Sequence, residues 1–487
     1  MVKYLFGIAC LIVLQTGTVI EVRAQKAARP NIVFILADDL GWSDLSCYGN
    51  RFNESPNIDQ LAGNGIKFTN AYSPAPVCTP GRAGIMTGQY PARLGVFEFI
   101  PGHWRPYEKV TVPVNKTQYL PLEKTTLAEV LKKAGYETAY FGKWHLGDQP
   151  KYNPLQQGFD VFHSGNVAAG NGNNSNIKLS SDVIGDLAAE FIDSHKKNPF
   201  FIFLSYYEVH VPYNPKQGLI SKYMKKDKVD DYPCNALYAA SIEQMDQSIG
   251  RIVSKLKAEK LLDNTMIVFI SDNGGSISEN KYPEVKDGKY PLLHPSKRNL
   301  YPKNSPLQFI GTTNTPLRNE KGSVYEGGIR VPMIISWPAK ISKGICKEPV
   351  IGIDLLPTLA DVTGTGLAAN DMVDGVSLLP LLENKKISRD YIFWHYPVYH
   401  HDVPAAAVRN KEWKLVMNLA DSTFNLYNLR VDLSETTDLS AAFPEKLFEL
   451  QEALIKWQKI VQAPMPSRNP QFNEGKRWIW GKHPHRN

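Results

Sequence analysis

The chain has 487 residues, of which 43% are hydrophobic, 21% are charged and only 5 are cysteines, a balance that excludes disordered, collagen-like and disulfide-knotted proteins. Its 55 Lys and Arg residues against 48 Asp and Glu residues give a net charge of +7, a mild excess that suits anionic substrates but is no nucleic-acid signature. Because single cores stop growing at roughly 250–300 residues, the length predicts one large domain with a smaller companion.

The first 24 residues have the pattern of a cleavable secretory signal. Lys3 precedes an apolar run from Tyr4 to Leu14, and Val22-Arg23-Ala24 has the small-residue spacing of a cleavage site. The run is shorter than the roughly 20 apolar residues that a membrane-spanning helix needs. Lipidation at Cys10 is a minor alternative. We therefore predict a signal peptide over residues 1–24 and export to the periplasm or the medium, without stable membrane insertion.

Five apolar runs predict a mostly parallel β-sheet. They alternate with helical patterns, so helices are expected to cover both faces of the sheet. Thr126 and Glu129 have the spacing of a capping box, and Gly135 stands where the helix that follows should end. The runs cover residues 31–37, 136–141, 200–204, 266–270 and 333–337.

Four of these runs lead within a few residues to charged or metal-capable side chains. In open α/β sheets, ligands bind outside the carboxyl ends of the strands, so these side chains are expected to share one site. Asp and Asn also punctuate turns and cap helices, which is the commoner explanation for any one such position. The coincidence at four strand ends favours a site. Its members are Asp38, Asp39, Lys143, His145, Glu208, His210, Asp272 and Asn273.

The segment from Cys78 to Gly88 predicts the start of a helix that faces an anion. Thr79 can cap the helix, and Pro80 suits its first position. Unpaired backbone amides at a helix start attract an anion, and Arg82 would add a charged fork one turn along.

Oxygen-bearing side chains dominate the predicted site. Carboxylate and amide oxygens suit a hard cation such as Ca²⁺ or Mg²⁺ better than zinc. Lys143 and His145 lie two residues apart at a strand end, so both side chains point to one side and can reach the same anion. The oxygen ligands would be Asp38, Asp39, Asp272 and Asn273.

Taken together, these motifs resemble those of the formylglycine-dependent sulfatases of the alkaline-phosphatase-like superfamily. Cys78-x-Pro80-x-Arg82 is similar to the signature that a maturation enzyme reads when it oxidises the cysteine to an aldehyde. Gly81 departs mildly, since Ser or Ala is more usual there. Other matching segments are residues 38–39, 135–147, 271–274 and 321–332, so the resemblance reaches about residue 337.

The resemblance implies an α/β fold with helices on both sides of a mostly parallel central sheet. From about residue 389 the pattern changes to short aromatic strands and a helix near residues 444–461. This pattern predicts an α+β subdomain that contains an antiparallel sheet and one helix. We expect a catalytic domain over residues 25–388, followed by the subdomain and tail over residues 389–487.

The resemblance also implies a sulfuric ester hydrolase that works through formylglycine. Cys78 would become formylglycine, whose hydrate attacks sulfur, forms a sulfo-enzyme intermediate and then expels sulfate. The ligands of one Ca²⁺ would be Asp38, Asp39, residue 78, Asp272 and Asn273. Arg82, Lys143 and Lys321 would offset the charge of the sulfate. His145 would assist the second step, and His210 would protonate the leaving oxygen.

The sequence is less specific about the substrate. Export favours a sulfated polysaccharide or its oligosaccharides. His400 and His401 are candidate substrate-binding residues, as is Trp104, although the aromatic run from Trp394 could simply pack the subdomain. The tail from Arg468 to Asn487 contains basic and Trp residues that can bind an anionic glycan, but we expect it to be disordered.

Two alternatives remain at this point. One is a formylglycine-dependent hydrolase of phosphonate or phosphate esters built on the same sheet. The other is a non-catalytic glycan-binding homologue, which would follow if Cys78 stays an unmodified thiol.

Overall fold

The computed structural model describes residues 29–165, 180–277, 311–368 and 371–484. The predicted signal peptide, residues 1–24, lies outside these ranges. Within them, no helix combines the length and the apolar character needed to cross a bilayer. The helices are α1 (Pro56–Gly63), α2 (Cys78–Thr87), α3 (Pro91–Leu94), α4 (Leu127–Lys133), α5 (Ser180–His195), α6 (Gln217–Lys225), α7 (Ala236–Ala258), α8 (Glu326–Ile329), α9 (Leu355–Thr363), α10 (Leu379–Leu382) and α11 (Pro444–Ile460).

Strands form two main sheets and two short pairs. Their bounds are β1 (Asn31–Ala37), β2 (Ile66–Phe68), β3 (Ala71–Tyr72), β4 (Val110–Thr111), β5 (Glu137–Gly142), β6 (Val161–His163), β7 (Phe200–Ser205), β8 (Thr265–Ser271), β9 (Met333–Ser336), β10 (Gly344–Cys346), β11 (Val350–Ile351), β12 (Ile392–Tyr396), β13 (Ala405–Asn410), β14 (Trp413–Asn418), β15 (Phe424–Asn428) and β16 (Ser467–Arg468).

The central sheet has eight strands in the order β10-β2-β9-β8-β1-β7-β5-β6. Neighbours are parallel except β9, which runs antiparallel to β2 and β8. The five apolar runs form β1, β5, β7, β8 and β9, and the predicted α/β architecture is confirmed. Ala37 lies opposite Ser271, and Gly142 lies opposite Ser205. The central strands therefore end nearly level, and the segments after them emerge at one edge.

Helices cover both faces of this sheet because successive residues of a strand point to opposite sides. Val33 and Ile35 of β1 belong to a core shared with α5 and α7, whereas Phe34 and Leu36 belong to a core shared with α2 and α4. At the start of α4, Thr126 accepts a hydrogen bond from the Glu129 amide and Glu129 accepts one from Thr126, as the predicted capping box requires.

The carboxyl-terminal sheet is antiparallel, with the order β12-β13-β14-β15. Helix α11 packs against it through Leu450, Leu454 and Trp457, which are buried. The predicted antiparallel sheet with one helix is thus confirmed. The predicted boundary near residue 388 stays a prediction, since the first strand of this sheet begins at Ile392.

The expectation of a disordered tail is wrong for residues 467–484. Strand β16 pairs with β4, so the chain returns to the loop that follows α3. The side-chain amide of Asn469 donates to the carbonyls of Pro106 (2.8 Å) and Glu108 (2.7 Å), and the amide of Gly481 donates to the Trp104 carbonyl at 2.8 Å. These contacts pair residues distant in sequence, which is why local composition did not reveal them.

Candidate active site

At the carboxyl edge of the sheet, backbone hydrogen bonds also join the segments that follow the strands. The amide of Asp38 donates to Glu208 O at 2.9 Å, and the amide of Asp272 donates to Ala37 O at 3.1 Å. The amide of Lys143 likewise donates to Ser205 O at 2.9 Å. The segments that follow β1, β5, β7 and β8 are therefore held side by side, and their polar side chains are brought together.

Helix α2 places Cys78 at this edge. It begins at Cys78 itself, after Val77, so the expectation that Thr79 caps the helix is wrong. The Thr79 hydroxyl instead donates to His145 O at 3.0 Å and accepts from Ile100 N at 3.2 Å. The Thr79 hydroxyl therefore bonds to residues distant in sequence instead of capping the helix, and these bonds hold the start of α2 against the segment that contains His145.

Close packing explains the glycine at residue 81. A Cβ at Gly81 would lie 2.3 Å from the carbonyl oxygen of Asp272. Side-chain atoms do not approach a backbone oxygen that closely. Gly81 therefore lets α2 lie directly against the end of β8.

Two aspartates face Cys78, and each is paired with one lysine. Cys78 Sγ lies 3.5 Å from Asp38 Oδ1 and 3.9 Å from Asp39 Oδ1. Lys143 Nζ contacts Asp38 Oδ2 at 2.5 Å and lies 3.8 Å from Cys78 Sγ. Lys321 Nζ contacts Asp39 Oδ2 at 2.6 Å. The two lysines thus bring positive charge to both sides of the thiol.

Arg82 lies beneath this group and is 2% exposed. Its Nε donates to Asp272 Oδ2 at 2.8 Å, and its Nη1 donates to Lys143 O at 2.8 Å and Ser205 Oγ at 2.6 Å. Its Nη2 lies 3.5 Å from Asp38 Oδ2. The guanidinium therefore joins the ends of four strands and offsets the buried carboxylates.

Burial and charge act in opposite directions on the ionisable groups. Burial raises the pKa of Asp38, but Lys143, His210 and Arg82 outweigh it and hold that pKa well below the ordinary value. Burial and the charge of Asp38 raise the pKa of Asp272 to about 7. Burial also raises the pKa of the Cys78 thiol. An unmodified Cys78 is therefore protonated at neutral pH and is a poor nucleophile.

The donor atoms at the edge fit a metal ion. One atom from each of Asp38, Asp39, Cys78 and His210 lies within 4.8 Å of the others. Asn273 Nδ2 donates to Asp39 Oδ1 at 2.8 Å, whereas its buried Oδ1 has no hydrogen-bond partner among the residues that the structure describes. A cation beside Asp39 would supply that partner, so the residues present suit an oxygen-rich site.

This cluster differs from the predicted ligand set at two residues. His210, predicted only as an acid, lies among the candidate ligand atoms. Asp272 lies beside them, but its Oδ1 accepts from the Asp39 amide at 3.2 Å and its Oδ2 accepts from Arg82. Each oxygen of Asp272 thus accepts one protein donor and keeps a second lone pair for a cation.

Two histidines border the thiol. His145 Nε2 lies 2.9 Å from Ile100 O, and within the described part of the chain its Nδ1 has no hydrogen-bond partner. Because a carbonyl oxygen only accepts, Nε2 carries the proton and Nδ1 is free to accept one. Burial and Lys143 lower the pKa of His145 to about 3. His210 Nε2 lies 3.6 Å from Asp39 Oδ2, and burial, Lys321 and Lys143 lower its pKa.

These groups open into a cavity of about 280 Å³, here named the thiol cavity. Its wall includes Cys78, His145, His210, Lys321, His400 and His401. The two substrate-binding candidates therefore lie near the thiol. Trp394 does not, since it is fully buried and its Nε1 donates to Ser73 O at 2.9 Å. The aromatic run from Trp394 packs the subdomain, and only its histidine end reaches the cavity.

Sequence reasoning missed four further residues of the thiol cavity. These are Phe99, His103, Val211 and Ser276. Phe99 and His103 lie in an irregular loop with neither periodicity nor motif, and the one available signal was the aromatic neighbour Trp104. Glu208, singled out at a strand end, is buried and accepts from Gln244 Nε2 at 3.3 Å, away from the thiol cavity.

Comparisons with known proteins identify relatives along most of the chain. A family model described as sulfatase matches residues 30–365, and one described as N-sulphoglucosamine sulphohydrolase, C-terminal, matches residues 319–459. A sulfatase of Formosa agariphila is 32% identical, covering 88% of this chain and 87% of the relative. The N-acetylgalactosamine-6-O-sulfatase of Bacteroides thetaiotaomicron is 29% identical, with coverages of 88% and 93%.

Solved structures show the same architecture. The crystal structure of Ps i-CgsB has a TM-score of 0.71 at 27% identity and covers 92% of this chain and 97% of its own. The same protein has been solved in complex with k-i-k-neocarrahexaose. The phosphonate monoester hydrolase of Agrobacterium radiobacter, with a TM-score of 0.61 at 19% identity and coverages of 91% and 100%, shares the fold alone.

Proposed function

Since the chain belongs to the sulfatase family and is a sulfuric ester hydrolase, we propose that it desulfates a sulfated polysaccharide or its oligosaccharides. Relatives support a glycan substrate, because one is an N-acetylgalactosamine-6-O-sulfatase and another has been solved with a carrageenan hexasaccharide. The observation that carries the proposal is the group formed by Cys78, Asp38, Lys143 and Lys321 at the thiol cavity.

We further propose that Cys78 is converted to formylglycine by a maturation enzyme and that one Ca²⁺ is bound by Asp38, Asp39, residue 78, Asp272 and Asn273. When present, formylglycine supplies an oxygen nucleophile and the cation polarises the sulfate ester. Two features support this proposal: the raised pKa of the thiol, which makes it a poor nucleophile as it stands, and the unpartnered Oδ1 of Asn273 beside two carboxylates.

The basic side chains would bind and orient the sulfate. Lys143 and Lys321 carry their charges on either side of residue 78, where an SO₃ group would lie, and their attraction to it is strong because both are nearly buried. Arg82 is enclosed by protein acceptors, so it would act by holding Asp38 and Asp272 in place and by offsetting charge from below.

The two histidines would move protons. His210 Nδ1 lies 2.5 Å from Val211 O and holds a proton there, so His210 would donate a proton from Nε2 to the leaving oxygen only in its doubly protonated form. Asp39 at 3.6 Å favours that form, against the burial and lysine charges that lower the pKa of His210. His145 would accept a proton at Nδ1 in the second step, because Ile100 O fixes the hydrogen on Nε2. Substrate contacts by His400 and His401 complete the proposed roles.

The proposed location is outside the cytoplasm, after removal of residues 1–24. Amino-terminal sequencing of the protein recovered from its native host tests this, with a mature terminus near residue 25 as the expected result. A mature protein that still begins at residue 1 would contradict export by a cleaved signal.

Mass spectrometry of the tryptic peptide Phe68–Arg82 tests the modification. Protein from the native host should contain the aldehyde or its hydrate at residue 78, and the same preparation should release sulfate from a panel of sulfated glycan fragments. An unmodified cysteine in active enzyme would overturn the formylglycine mechanism. Phosphonate turnover above sulfate turnover on matched aryl esters would overturn the substrate class.

A further inference from the structure

A second cavity of about 550 Å³ adjoins the thiol cavity. His400 and His401 line both, so the two cavities meet at this pair of histidines. On its far side the second cavity is lined by Arg105, Arg477, Trp478 and Trp480. We name it the tail pocket, because three of these four residues come from the carboxyl-terminal tail. Its volume is within the roughly 300–1,000 Å³ range of ligand sites.

The tail supports the histidines that the two cavities share. The ring of Trp480 lies 4.6 Å from the His103 ring, and the Arg105 guanidinium lies 4.1 Å above Trp480. Arg105 Nη2 in turn donates to His400 O at 3.2 Å, and the His103 ring packs 4.9 Å from that of His400. Trp480 is therefore a structural support that fixes the loop bearing His103 and Arg105 next to the thiol cavity.

Trp478 has a different environment. It is 67% exposed and lies in a stretch of the tail that is mostly exposed, whereas Trp480 is half-buried. The Arg477 guanidinium lies 4.8 Å from the Trp478 ring and the Arg105 guanidinium lies 5.3 Å from it, so the pocket combines a largely exposed aromatic ring with N–H donors beside it. A sugar ring has the matching chemistry, since its C–H face packs on an aromatic ring while its hydroxyl, sulfate or carboxylate oxygens accept hydrogen bonds.

We propose that the tail pocket binds the sugar residue next to the one whose sulfate ester enters the thiol cavity. The enzyme would then read two consecutive sugars, and its substrate would be an oligosaccharide or a chain rather than a single sulfated sugar. This inference rests on the proposed glycan sulfatase function. It assigns a specificity-determining role to Trp478, within the tail whose basic and Trp residues the sequence marks as able to bind an anionic glycan.

Substitution of Trp478 tests the inference. Turnover is measured on 4-nitrophenyl sulfate, which has one ring, and on two sulfated hexasaccharides, neocarrahexaose and one of 6-sulfated N-acetylgalactosamine type. The comparison uses the hexasaccharide that the wild type desulfates faster. The kcat/KM for this hexasaccharide is divided by the kcat/KM for 4-nitrophenyl sulfate, and Trp478→Ala should lower this ratio about tenfold. Trp478→Phe should restore most of this ratio. Phe472→Ala removes an aromatic ring that is 42% exposed and outside the pocket, and both activities should remain at wild-type level.

The outcomes separate the subsite from the activity. If Trp478→Ala lowers both kcat/KM values equally, or neither, the tail pocket is not a sugar subsite. A wild type that hydrolyses 4-nitrophenyl sulfate but neither hexasaccharide also overturns the inference and leaves the sulfatase activity standing. A wild type with its formylglycine in place that releases sulfate from none of the three substrates contradicts the proposed function itself.

Binding can also be measured without turnover, by calorimetric titration of the same hexasaccharide into Cys78→Ala and into the Cys78→Ala, Trp478→Ala double variant. The double variant should bind it about tenfold more weakly.

Discussion

Cys78 Sγ lies 3.5 Å from Asp38 Oδ1, although forty positions separate the two residues in the chain. Asp38 follows the central strand of the sheet, and Cys78 begins the helix that packs on one face of it. Burial raises the pKa of a thiol in this position and outweighs the opposing charges of Lys143 and Lys321, so the thiolate is disfavoured. The geometry suits a residue that acts through oxygen after modification better than one that acts through sulfur.

Replacement of this thiol should abolish activity and leave the fold intact. Cys78→Ala removes the atom that conversion to formylglycine requires, so sulfate release should fall by about 10³-fold or more. The loss of one sulfur atom from a buried site should lower the melting temperature only slightly. Cys346→Ala, at a half-buried thiol far along the chain, is the control and should keep full activity. Retained turnover in Cys78→Ala would refute the assigned nucleophile.

Chelation should lower activity, and calcium should restore it better than zinc. Asp38 and Asp39 offer hard oxygen donors, and Asn273 Oδ1 is buried beside them without a partner. Asn273→Ala should therefore raise the calcium concentration needed for half-maximal activity, by about tenfold. Asn410→Ala, on an exposed part of strand β13 outside the site, is the control. Recovery of activity with zinc but not with calcium would contradict the proposal of an oxygen-rich calcium site.

Lys321→Met should weaken transition-state stabilisation. Lys321 Nζ contacts Asp39 Oδ2 at 2.6 Å and borders the thiol cavity. Loss of a charge aimed at the sulfate should lower kcat/KM by about 10²–10³-fold. Lys340→Met removes an exposed lysine far from the cavity and should change nothing. An equal kcat/KM in wild type and Lys321→Met would exclude Lys321 from the reaction.

The sequence alone predicted what depends on local pattern and motif. Apolar runs marked β1, β5, β7 and β8, and their polar ends indicated where a site would lie, because strand polarity alone brings those ends to one edge. The motif around Cys78 indicated the chemistry. The features that the sequence did not predict depend on contacts between distant segments. They are the hydrogen bond from the Thr79 hydroxyl to His145 O, the packing of His103 against Trp480, and the pairing of β16 with β4.

Gly81→Ala should destabilise the protein. A Cβ at residue 81 would lie 2.3 Å from Asp272 O, so α2 or the end of β8 must shift, at a cost of about 1–3 kcal/mol. Gly63→Ala, at the last residue of α1, is the control, since a Cβ there meets no atom of the described residues within 4 Å, and it should leave the melting temperature unchanged or slightly raised. Thermal unfolding measures both. A Gly81→Ala variant with an unchanged melting temperature and full activity would show that the site tolerates the displacement.

Acid should destabilise the carboxyl-terminal sheet through His395. Its Nε2 contacts Pro464 O at 2.8 Å, and burial lowers its pKa to about 4, whereas an unfolded histidine titrates near pH 6.5. Between these values the unfolded chain binds a proton that the folded chain does not, so stability falls as pH falls. The loss of stability between pH 7 and pH 5 should be about 2 kcal/mol.

His395→Gln should be less stable than the wild type at pH 7 but should lose less stability on acidification, as urea unfolding at the two pH values measures. His163→Gln, at an exposed histidine, is the control and should lose as much stability between pH 7 and pH 5 as the wild type. If His395→Gln also loses as much stability as the wild type, His395 is not the cause of the destabilisation by acid.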